Sequence, residues 1–211
     1  GRWRSLQLLQ TAVNSVFFDQ LRASDCVASL RLVAPLLDSS ALSSLESWLR
    51  SSSALQRLSV DRAPAWLFAS GTFLDSVASS TSLRSLSLWR SRMGDVHAEL
   101  LAAALRTSRS TCFEELHLWE CSVRDRGMAA LLDAVHRFPL TCIDCAGSGG
   151  ACDAAVVQLA SIMTQLPTLT YVAFKTVQFT HASQFTALFE AACCCTRLVE
   201  LHVASIVALD V

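Results

Sequence analysis

Nine cysteines and five histidines give this 211-residue chain most of its capacity for side-chain chemistry. Cys142 and Cys145 form a CxxC with Cys152 close behind, a spacing used by zinc and redox sites. Cys193, Cys194 and Cys195 are consecutive, a tract of soft thiols, and Cys112, His117 and Cys121 lie within metal-ligand spacing. His117 and Asp144 are a base and a carboxylate of the kind that orients a base, the pair that would activate a nucleophile. No nucleophile elbow, phosphate-cradling glycine loop or HExxH motif accompanies them. Whether any of these groups meet depends on the elements that carry them.

Those elements repeat. Leu83, Leu86 and Leu88 place apolar residues at relative positions 1, 4 and 6, and the same spacing recurs along the chain. It is found in Val27/Leu30/Leu32, Leu55/Leu58/Val60, Phe113/Leu116/Leu118, Leu140/Ile143/Cys145, Leu169/Val172/Phe174 and Leu198/Leu201/Val203, with a weaker first copy in Trp3/Leu6/Leu8. The copies start near 3, 27, 55, 83, 113, 140, 169 and 198, steps of 24 to 30 residues. Within each copy positions 4 and 6 alternate with polar neighbours, as a short strand with one buried face requires. Helical spacing follows, in Leu42/Leu45/Trp48/Leu49, Met128/Leu131/Leu132/Val135, Val156/Leu159/Ile162/Met163 and Phe185/Leu188/Phe189. A strand and a helix in so few residues cannot bury both apolar faces alone, so the units must stack. The expected fold is α/β: one domain over residues 1–211, a curved horseshoe with a parallel sheet on the concave face and helices on the convex face.

The pattern resembles the ribonuclease-inhibitor-like class of leucine-rich repeats, whose units read L-x-x-L-x-L-x-x-N/C-x-L before a helix. The fullest copy runs from Phe113 through Leu116, Leu118, Cys121 and Val123 to Asp125, Gly127 and Leu131. The resemblance implies a macromolecule-binding scaffold and no cofactor. Position 9, which should tie down the loop after the strand, departs from the pattern: it reads Thr11, Pro35, Ala63, Ser91, Cys121, Ser148, Val177 and Ile206, so only the fifth unit is close to the pattern and the loop geometry of the others stays open. The stretch from Ser148 to Ala151 should form a looser turn.

With this register the chemical motifs come apart. Cys142 points outward and Cys145 inward, so the CxxC cannot share a metal ion, and Cys121 belongs to the loop-tying position rather than to His117. What comes together lies on the outward face. Position 5 reads Gln7, Arg31, Ser59, Ser87, His117, Asp144, Ala173, His202, and position 7 reads Leu9, Val33, Asp61, Trp89, Trp119, Ala146, Lys175, Ala204. Position 3 adds Arg57, Glu115, Cys142, Tyr171 and Glu200. Trp89 and Trp119 should therefore stand side by side, ringed by Arg57, Asp61, Arg90, Glu115, His117, Glu120 and Asp144, with Tyr171 beyond. An aromatic centre with a mixed-charge rim is the usual anatomy of a protein interface.

Composition narrows the classes. Hydrophobic residues make up 52% and charged residues 17%, too apolar for disorder, and no run reaches the length of a membrane span. The net charge of −1, with Lys175 the only lysine, argues against nucleic acid as primary ligand. Cysteines placed where small apolar residues would serve read as reduced and buried, hence an intracellular, cytoplasmic protein. The chain starts without methionine, which leaves a removed targeting segment open. Its apolar ends lead us to expect a piece of a longer chain that aggregates or dimerises alone. The expected function is a non-catalytic protein-protein interaction scaffold, as a subunit of a larger assembly. The alternatives are a recognition module of an immune receptor or ubiquitin-ligase adaptor, and a GTPase activator working through Arg90 or Arg92.

Overall fold

A computed structural model describes residues 4–146, 153–174, 178–179, 181–203 and 207–208. In chain order the elements are β1 (Ser5–Leu9), β2 (Ala12–Val13), α1 (Ser15–Ser24), β3 (Ser29–Val33), β4 (Leu36–Leu37), α2 (Ser39–Ser51), β5 (Arg57–Asp61), α3 (Trp66–Ala69), α4 (Thr72–Ser79), β6 (Ser85–Trp89) and α5 (Gly94–Thr107). There follow β7 (Glu115–Trp119), α6 (Asp125–Val135), β8 (Cys142–Asp144), α7 (Asp153–Gln165), β9 (Tyr171–Phe174), β10 (Gln178–Phe179), α8 (Ala182–Cys194), β11 (Glu200–Val203) and β12 (Val207–Ala208). The protein is α/β.

Eight strands form one sheet in the order β1-β3-β5-β6-β7-β8-β9-β11, which is chain order, and every neighbouring pair is parallel. The helices pack on one another in the same order, α1 on α2, α2 on α4, α4 on α5 and so on to α7 on α8, with the short α3 against α4. The expected register is found pair by pair: Leu30, Leu58, Leu86, Leu116, Ile143 and Val172 align, and all are buried in a single core with the helices. Leu6 and Leu8 in β1, and Leu201 and Val203 in β11, are only partly buried, because each lies in a terminal strand with a neighbour on one side. Trp3, Cys152, the 148–151 turn, Lys175, Val177, Ala204 and Ile206 lie outside the described residues.

Aspartates join unit to unit. The Asp25 carboxylate, just past α1, accepts hydrogen bonds from the Ser52 hydroxyl at 2.6 Å and from the backbone N–H groups of Ser53 and Ala54 one unit on. These bonds outweigh burial and hold its carboxyl below the ordinary value. Asp95, in the first turn of α5, accepts the Arg124 N–H at 2.6 Å, and Asp125 of α6 accepts the Ala155 N–H at 2.9 Å. A carboxylate near a helix N-terminus thus ties the start of the next helix, which serves both the helix dipole and an otherwise unsatisfied donor.

A second repeated device follows the strands. Gln10, Ala34, Arg62, Arg90 and Glu120 occupy position 8 of five successive units, and all have positive φ, between 44° and 56°. Each N–H donates to the carbonyl at position 7 of the next unit: Gln10 to Val33, Ala34 to Asp61, Arg62 to Trp89, Arg90 to Trp119 and Glu120 to Ala146, at 2.7 to 3.1 Å. A non-glycine residue pays about 1 kcal/mol or more for this conformation, and the inter-unit bond holds it there.

The loop after the strand is tied in the fourth unit as well as in the fifth. Cys121 ties its loop, its Sγ donating to Leu88 O at 2.9 Å, and the Ser91 hydroxyl bonds Val60 O and Trp89 O and accepts the Ala63 N–H at 3.1 Å. A serine hydroxyl offers the same short donor as a thiol. Burial pushes the Cys121 thiol up to about 12, so it keeps the proton this bond needs. In the third unit Gly71, at φ 72°, divides the helical half into α3 and α4.

Candidate functional site

One face of the sheet is buried under the helices, and the other, made of positions 3, 5 and 7, is open. The aligned registers put Asp61 beside Trp89 and Trp89 beside Trp119. The two half-buried indoles meet edge to face, with ring centroids 4.9 Å apart and planes at 66°. This is a favoured aromatic geometry, in which the electropositive edge of one ring meets the face of the other. The pair covers part of its own surface and leaves the rest to solvent.

Asp61 is on the predicted face but is not an exposed rim charge. It is 2% exposed, beneath arginines from three other positions. Arg90 grips it with two hydrogen bonds, Nε to Oδ1 at 3.2 Å and Nη2 to Oδ2 at 2.9 Å, while Arg31 and Arg62 approach to 3.9 Å. The three guanidinium-bearing side chains remain 43 to 50% exposed. Arg90 is thus committed to a structural pair, whereas Arg92 sits exposed in the following loop. Arg31 and Arg62 were not among the expected site residues. Their signal was present, since Arg31 is in position 5 one strand away and Arg62 directly follows Asp61.

A second cluster surrounds His117. Its Nδ1 lies 3.9 Å from Asp144 Oδ2, and its Nε2 lies 3.8 Å from Glu115 Oε2 and 3.9 Å from Cys142 Sγ. Burial disfavours the imidazolium, but Asp144 and Cys142 outweigh it, and the pKa is pushed up to about 10. A folded-state pKa above the unfolded value means the cluster stabilises the protein fully below about pH 6.5 and loses that contribution as pH rises toward 10. Melts followed from pH 6 to 10 should therefore show wild type losing midpoint temperature relative to Asp144→Asn. Parallel curves would remove His117 as the cause.

The remaining residues stand apart. Arg57 is separated from Glu115 by Ser85 on the intervening strand, and Tyr171 neighbours Cys142 while its ring lies 5.6 Å from that of His202. Cys142 is on the open face and Cys145 is 2% exposed in the core, so the CxxC is divided as its register requires. Cys112 donates to Thr81 O, away from His117. Cys195 is buried while Cys193 and Cys194 are exposed. Among the described residues no group of three or more His, Cys, Asp or Glu is placed to hold a metal ion, and no helix is long and apolar enough to cross a membrane.

No protein-family model matches the sequence, and no curated protein does. Among solved structures the chain is similar to leiomodin-1 actin-binding site 2, at 16% identity and a TM-score of 0.42. The match covers 59% of this chain and 70% of that one.

Proposed function

We propose that the chain is a leucine-rich-repeat solenoid of the ribonuclease-inhibitor-like class and acts as a non-catalytic protein-binding scaffold through its open, concave sheet face. The observation that carries this reading is the Trp89–Trp119 pair at the centre of that face. Two partly exposed indoles are expensive to leave in water, and tryptophan with arginine around it is the composition of interface hot spots. The sheet supplies a rigid base: Trp89 is paired with Asp61 on one side and Trp119 on the other, and the Arg62 and Arg90 N–H groups bond the Trp89 and Trp119 carbonyls. A preorganised face loses little conformational freedom on binding. A charged rim on either side would set orientation and partner choice more than affinity.

The test is affinity capture from the native source with wild type and with Trp89→Ser/Trp119→Ser. Truncating a hot-spot tryptophan costs about 2 kcal/mol or more of binding, so the double variant should lose its partners while keeping its circular dichroism. A folded variant that captures the same proteins would move binding to the loops, the helices or the ends. The reading as a recognition module of a larger regulatory protein uses the same face.

A further inference from the structure

Beside the indole pair lies a site of different character. Asp61 holds Arg31, Arg62 and Arg90 in one cluster, three cations around a single anion, with each arginine near half exposed. Arg62 also lines a groove of about 800 Å³ at the ends of the first strands. The floor of that groove is mostly apolar, formed by Val13, Pro35, Leu36, Pro64 and Trp66, with Asn14 and Asp38 also on its wall, where their side chains accept the Phe17 and Ala41 N–H groups at the starts of α1 and α2. Leu36 is 62% and Trp66 45% exposed there. A basic cluster anchored on a buried carboxylate and a groove for an apolar side chain therefore share one residue.

We propose that this cluster and groove bind an acidic segment of a protein partner, its carboxylates on Arg31 and Arg62 and a neighbouring aliphatic side chain in the groove. This rests on the reading of the open face as a protein-binding surface. Arginine presents a planar fork that matches a carboxylate with two parallel hydrogen bonds; Asp61 uses the fork of Arg90, while Arg31 and Arg62 stand 3.9 Å from it with their own forks left for an incoming carboxylate. Asp61 neutralises one of the three charges, so the cluster retains a positive excess for an incoming anion. The polarity of the face favours a short acidic segment over nucleic acid. Beyond the indoles the same face turns acidic, with Glu115, Glu120, Asp144 and Glu200, and a uniformly charged polyanion running along it would be repelled. The apolar floor likewise suits an aliphatic side chain rather than a sugar-phosphate chain.

The experiment is fluorescence polarisation with a labelled short peptide of aspartates and glutamates around one leucine. The controls are the same peptide with glutamine for every acid, the same with serine for leucine, and an oligothymidylate of equal length. The acidic peptide should bind with a salt-dependent affinity, and both control peptides should bind more weakly. Arg31→Gln/Arg62→Gln should weaken the acidic peptide about tenfold or more, with circular dichroism unchanged, because glutamine brings no second negative charge to Asp61 and Arg90 keeps the bidentate hold on it. Equal binding of the glutamine peptide, tighter binding of the oligonucleotide, or indifference to the arginine variant each overturns the proposal. The two readings fail separately in the affinity capture. If the tryptophan variant loses partners that the arginine variant retains, the acidic-segment inference falls and the scaffold stands; if the tryptophan variant keeps its partners, the scaffold reading falls.

Discussion

Gly127→Val should destabilise the protein by about 2–3 kcal/mol, read as a lower urea midpoint with an unchanged slope. Gly127 is buried in the first turn of α6, where that helix crosses the start of α5. A Cβ there would lie 2.8 Å from Asp95 Cα and 2.8 Å from Asp95 Oδ1, with Ala98 Cβ at 3.0 Å. Two of these neighbours belong to positions that cannot swing aside. One is backbone, and the other is the carboxylate oxygen that accepts the Arg124 N–H. The helices must separate or the inter-unit bond must break, and valine adds two methyl groups to the same crowded space. Gly127→Ala should cost less, because alanine recovers about 1 kcal/mol of helix propensity over glycine. A wild-type midpoint for the valine variant would mean that α5 and α6 are further apart than the structure has them.

Trp48→Ala should cost about 3–5 kcal/mol, whereas Trp48→Phe should stay within about 1 kcal/mol of wild type. Trp48 is 1% exposed in α2 and is the largest fully buried side chain of the core. Alanine leaves a cavity that neighbouring units, held by their own strands, cannot fill. The indole Nε1, however, is buried and meets no acceptor among the described residues. An unsatisfied donor carries a desolvation cost of about 1–3 kcal/mol, and phenylalanine removes it while keeping most of the ring. The smaller volume and the lost orphan act in opposite directions. A phenylalanine variant as unstable as the alanine one would show that the N–H has a partner after all.

Most of the framework was legible in the residues. Strand side chains alternate with period two and the units have nearly constant length, so the apolar positions of successive copies can only pile up in register. From that register alone Trp89 falls beside Trp119, His117 beside Asp144, and Cys142 on the face opposite Cys145, and the strands pair in that way. The CxxC is divided for the same reason, because side chains three apart on a strand point to opposite faces.

The tertiary structure alone decided what lies beyond nearest neighbours. Asp61 reads as one outward acid among several, yet it is buried, and arginines from three units have side chains long enough to bring their guanidinium groups to it. The left-handed residues at position 8 carry no sequence signal. Gln10, Ala34, Arg62, Arg90 and Glu120 share no side-chain property, and their φ is set by a hydrogen bond to the next unit's backbone. The groove beside Arg62 is likewise assembled from three units, none of which contains it alone. Local period determines which face a residue takes, and the packing of whole units decides how far its side chain reaches and what it covers.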